Sequence, residues 1–72
     1  MERLMICKYL NGIPVIALEN LTREHARSIL EKELEGMTPE GLDILLSGNV
    51  HLPLDSSPFT LVVKKDRSCF TH

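Results

Sequence analysis

Apolar residues dominate the chain from Leu4 to Leu10 and again from Ile13 to Leu18, with Asn11-Gly12 between the two runs. Asn and Gly tolerate the positive φ that both central residues of a type I′ turn require, so the stretch predicts a β-hairpin with a two-residue connection. That turn sets a register. Leu10 faces Ile13, Lys8 faces Val15, Ile6 faces Ala17 and Leu4 faces Glu19, while Tyr9 meets Pro14, Cys7 meets Ile16 and Met5 meets Leu18 on the other side. Pro14 fits this register if the second strand lies at a sheet edge, where its missing N–H leaves no ladder bond unmade.

The pattern then changes period. Ala26, Ile29, Leu30, Leu34 and Met37 recur at helical spacing, with Arg23, Glu24, Arg27, Glu31, Lys32 and Glu35 on the remaining positions. Thr22 is placed to cap this helix, Leu21 and Ala26 to staple it, and Gly36 to end it as a left-handed C′ residue. Thr38-Pro39-Glu40 repeats the start signal, a capping hydroxyl followed by proline in the first turn. A second helix from Pro39 to about Ser47 buries Leu42, Leu45 and Leu46, and Gly48 stops it.

Beyond Gly48, Val50 to Leu54 alternates as a strand, Asp55-Ser56-Ser57-Pro58 has turn chemistry, and Phe59 to Val63 is a second strand. Pro53 marks the earlier of these strands as an edge. The polar stretch 64–72 reads as a frayed tail. The predicted order is ββααββ, a single α+β domain over residues 1–72 with a small antiparallel sheet and two short helices on one face. The expected core is Met5, Ile16, Leu18, Ile29, Leu30, Leu34, Leu45, Phe59 and Leu61.

With only 72 residues, 43% of them hydrophobic, the margin between burial and ordering is thin, and small domains often widen it with a disulfide, a metal or a partner subunit. Two cysteines, Cys7 and Cys69, are too few and too far apart for a secreted miniprotein framework, so both read as free thiols in a reduced, cytoplasmic setting. Lys8 and Asn11-Gly12 interrupt the first apolar run before it reaches signal-peptide length, and no segment is long enough to cross a bilayer. A net charge of -2 gives no bulk attraction to phosphate.

Candidate chemistry is sparse. His25, His51, Asp43, Ser28 and Ser47 sit in no nucleophile elbow, phosphate loop or metalloprotease motif, so the chain is read as non-catalytic and without a cofactor. Cys69 and His72, with Cys7 and His51, form too weak a pattern to assign a metal. The Arg23–Ser47 helix pair is reminiscent of a DNA-binding helix pair, but Glu40 and Asp43 put acids at the end that should approach base edges. A small nucleic-acid-binding regulator, supported by the Lys64, Lys65 and Arg67 cluster, is the alternative reading.

The informative feature is the first hairpin, because both of its faces are apolar, whereas a half-buried antiparallel sheet should alternate with polar residues. Two helices cover only one face. The other face, Leu4, Ile6, Lys8, Leu10, Ile13, Val15 and Ala17, is therefore expected to dock on a protein, most simply a second copy in a twofold dimer. Glu31, Glu35 and Glu40 near the helix corner form a second, acidic candidate patch for a basic partner. The expected function is that of a small accessory or regulatory protein acting by docking, of the kind carried by phages and mobile elements.

Overall fold

A computed structural model describes residues 3–55 and 57–66. Two apolar runs around Asn11-Gly12 form β1 (Leu4–Leu10) and β2 (Ile13–Leu21), and the connection has the expected positive φ at both positions, 51° at Asn11 and 81° at Gly12. Two capped helices follow, α1 (Arg23–Glu33) and α2 (Pro39–Leu46). The chain closes with β3 (Val50–Pro53) and β4 (Phe59–Lys65). The four strands make one antiparallel sheet in the order β2-β1-β4-β3, so the fold is α+β with the element order ββααββ.

Both helix starts are made as the capping residues dictate. The Thr22 hydroxyl accepts from the His25 N–H at 3.2 Å, and the Thr38 hydroxyl accepts from the Gly41 N–H at 3.1 Å, each satisfying a donor left over by the first turn. The end of α1 differs from expectation. The helix stops at Glu33 with Leu34 as its C-cap, and Gly36 takes its left-handed φ of 84° one residue beyond C′, inside the connection to α2. Gly48 ends α2 at a φ of 91°, and a Cβ there would lie 2.6 Å from the Cβ of Lys65, so only glycine fits both the turn and the passage of β4.

Pro14 and Pro53 both lie on edge strands, β2 and β3, as their missing N–H groups require. β4 runs to Lys65, two residues past the expected end, and its exit is pinned to the start of β1. The Asp66 N–H donates to the Arg3 carbonyl at 2.8 Å, and the Arg3 N–H donates to the Asp66 carboxylate at 3.1 Å. Residues 64–66 are thus part of the ordered sheet margin rather than a frayed tail, because β1 offers its second side to β4. The rest of that stretch, 67–72, lies outside the described residues.

The hairpin register corrects the expected one. Leu10 pairs with Ile13 and Tyr9 with Pro14 as expected, but Lys8 then pairs with Ile16, Cys7 with Ala17 and Ile6 with Leu18, and Leu4 with Leu21. Two β-bulges lie in β2. Val15 and Ile16 together oppose Lys8, and Glu19 and Asn20 together oppose Met5, with Asn20 in the left-handed region at φ 57°. Each inserted residue moves the residues that follow it to the opposite face, which a two-residue side-chain period makes unavoidable.

The core follows from this register. Leu4, Ile6, Leu61 and Val63 are buried against Ala26 and Leu30 of α1 and Leu42, Leu45 and Leu46 of α2, with Leu21 closing the cluster. Leu4 and Ile6 therefore face the helices, which corrects their expected place on a docking face. Ile16 and Leu18, expected in this core, are exposed on β2 instead. On the reverse face Met5, Cys7 and Val62 form a smaller buried cluster, joined by Tyr9 and Ala17. Cys7 is disulfide-bonded, so the expectation of two free thiols is overturned. The sequence holds one other cysteine, Cys69, which lies outside the described residues. A disulfide at Cys7 removes the free thiols from which a reduced, cytoplasmic setting was expected.

Candidate interaction surface

The seven residues expected to form one docking face are divided three ways. Leu4 and Ile6 are 0% and 3% exposed beneath the helices. Lys8 is half-buried on the same side of β1 and reaches α1, where its ammonium lies 2.8 Å from the Glu33 carboxylate, and Leu10 beside it is also half-buried. Ala17 is carried by the first bulge to the reverse face, where it packs on the Cys7 cluster. Only Ile13 and Val15 remain on open surface, 64% and 48% exposed.

Two residues replace those lost to the core. Ile16 and Leu18 are 47% and 40% exposed, so β2 presents Ile13, Val15, Ile16 and Leu18 along one edge strand. Ile13, Ile16 and Leu18 stand opposite Leu10, Lys8 and Ile6, which places all three on the helix side of the sheet, beyond the reach of α1. The strip is free of charge along its length. Asn11 and Gly12 border it at the turn, and Glu19 and Asn20 border it at the second bulge, all four exposed. An apolar strip with a polar rim is the arrangement typical of contact surfaces on small soluble proteins. Ile44, 66% exposed, is the one large apolar residue of α2 left in solvent.

Asn20 is the one sequence signal that could have exposed the error. An Asn late in an otherwise apolar strand is depleted from regular ladders and tolerates the left-handed conformation that an irregularity needs. Nothing in the residue types around Val15 marks the first bulge.

The acidic candidates lie on α1, on the α1–α2 connection and on α2, all exposed. Glu31 lies on the exposed side of α1 with its carboxylate 3.5 Å from Arg27, and Glu40 is exposed in the first turn of α2. Glu35, in the α1–α2 connection, instead lines a groove with Asp55 of the β3–β4 turn. The two helices are tied by Asp43, whose carboxylate is 2.8 Å from Arg27 and 3.5 Å from Arg23.

The residues weighed for catalysis have other engagements or stand in solvent. Asp43 is held by the two arginines, the Ser47 hydroxyl donates to the Ile44 carbonyl at 2.6 Å, and His25 and His51 are exposed on α1 and β3. Among the described residues no three His, Cys, Asp or Glu side chains are grouped to hold a metal, and Cys7 is occupied by its disulfide. No described helix is long and apolar enough to cross a membrane. No family model matches the chain, and no curated protein or solved structure matches it either.

Proposed function

We propose that the protein is a small non-catalytic interaction module that docks through the β2 edge, and that the occupant of this edge is a second copy of the chain. The observation that carries the reading is the strip of Ile13, Val15, Ile16 and Leu18, four large apolar side chains between 40% and 64% exposed on one edge strand. A twofold contact brings a surface against itself, so it favours a patch without net charge, and this one has none along its length. The two bulges twist the edge and interrupt its regular run of free N–H and C=O groups, which disfavours open-ended strand addition and leaves side-chain packing as the mode of contact. Lys8, tied to Glu33 on α1, stays out of the contact.

Light scattering on the full chain at high micromolar concentration tests the reading. The wild-type protein should show twice its 8.1 kDa mass, and Ile16→Asp should return it to a monomer that melts as the dilute, dissociated wild type does, because Ile16 contributes little to the monomer's own core. A wild-type protein that stays at 8.1 kDa under these conditions rules the dimer out.

A further inference from the structure

A second surface lies at the junction of the helix layer with the β3–β4 turn. Where α1 ends and the β3–β4 turn begins, two adjoining hollows of about 390 and 520 Å³ share Leu34, Glu35, Leu54 and Asp55 and so form one continuous groove. Both hollows are open to solvent, so they suit side chains laid along the surface rather than an enclosed ligand. Leu34, Met37, Leu52 and Leu54 supply its apolar floor, all half-buried and packed on the main core.

The charge around that floor is one-sided. Lys8 and Glu33 line the second hollow, but they satisfy each other at 2.8 Å. Glu35 and Asp55 remain, both exposed, and neither has an ion pair or hydrogen bond from its side chain among the described residues. The groove thus pairs an apolar floor with two uncommitted carboxylates on its rim. Each half selects a different part of a ligand. The floor takes an aliphatic side chain, and the rim favours cations while disfavouring an acidic competitor.

We propose that this groove binds a short basic segment of a partner protein, with one or two aliphatic side chains on Leu34, Met37, Leu52 and Leu54 and flanking Lys or Arg against Glu35 and Asp55. The inference stands apart from the β2 dimer, since none of the four residues of that strip lines the groove.

The test uses the isotope-labelled full chain, titrated with the blocked hexapeptide Lys-Arg-Leu-Leu-Arg-Lys and with its acidic counterpart Glu-Asp-Leu-Leu-Asp-Glu. The basic peptide should give saturable amide shifts confined to residues 33–37 and 52–55, weakened by added salt, and the acidic peptide should give none. The double variant E35K/D55K should weaken the basic peptide about tenfold, equivalent to about 1.4 kcal/mol, and acquire binding to the acidic one. Absence of saturable shifts with the wild-type protein, equal binding of both peptides, or shifts centred on β2 overturns the proposal. So does the appearance of the same groove shifts when the protein is concentrated without peptide, which assigns the groove to a second copy. The wild-type comparison of two peptides needs no variant to fold.

Discussion

The sheet has two edges, and they are protected in different ways. β3 is four residues long, pairs in register with β4, and alternates half-buried Val50 and Leu52 with exposed His51 and Pro53. Its apolar residues point under the helix layer, and its outer row is short and ends in proline, two common means of keeping an edge from adding strands. β2 is nine residues long and carries its proline near the turn. Two bulges distort it, yet four large apolar residues stay in solvent. An edge can thus be unattractive to another strand's backbone and still offer side chains to a partner. Backbone pairing and side-chain burial are separate requirements, and only β3 meets both within the monomer.

The comparison can be broken most sharply by truncating the same kind of side chain on each side of the hairpin. Leu4→Ala removes a fully buried leucine from beneath the helices and should cost about 2–5 kcal/mol, whereas Ile16→Ala on β2 should cost the dissociated monomer less than about 1 kcal/mol. Denaturant titration of dilute protein measures both. Equal losses would place β2 inside the core and remove the basis for the docking strip.

Reduction tests how far the reverse face of the sheet relies on a covalent tie, because Cys7 is buried there with Met5 and Val62. The purified protein should be two hydrogens lighter than its reduced mass, and treatment with a thiol should lower stability by about 2–4 kcal/mol. Unchanged melting on reduction shows that strand pairing and packing hold this face of the sheet unaided.

The turns at the two edges should also respond differently to a methyl group. At Gly48 alanine meets both a φ of 91° and the Lys65 Cβ, and Gly48→Ala should cost roughly 2–3 kcal/mol. At Gly12 the surrounding space is open and only the φ of 81° is unfavourable, so Gly12→Ala should cost about 1 kcal/mol. Thermal melts of the pair measure the difference, and a larger loss at Gly12 would show that the β1–β2 turn rather than the α2–β3 junction limits the fold.

The smallest effect belongs to the helix layer above both edges. Asp43→Asn weakens ion pairs with Arg23 and Arg27 whose side chains are 32% to 59% exposed, so it should shift stability by less than about 1 kcal/mol, and less again in high salt. A larger loss would mean that the α1–α2 contact depends on this carboxylate more than on Leu30, Leu42 and Leu46.

Much of the fold was legible residue by residue because it is locally encoded. Asn11-Gly12 carries its turn in its tolerance of positive φ, Thr22 and Thr38 carry helix starts in a hydroxyl within reach of an N–H three residues on, and Pro14 and Pro53 mark edges through the donor they lack. The candidate surfaces were much less legible. The sequence pattern leaves Ile13 and Val15 on the surface, where they are exposed, but it places Ile16 and Leu18 in the core and Leu4 and Ile6 at the surface, the reverse of the fold.

That inversion has a definite cause. When both faces of a hairpin are apolar, alternation contains no information about which face is buried, and the phase is set by the elements that arrive to cover it. By itself the sequence determined the elements, their caps and turns, the α+β order and the presence of surplus apolar surface on the first hairpin. The tertiary structure alone decided that β4 inserts between β1 and β3, that the helices settle on the Leu4 and Ile6 side, that two bulges re-aim β2, and that Glu35 meets Asp55 across a groove. Each of these depends on residues far apart in the chain competing for the same buried area, and no local preference records the outcome of that competition.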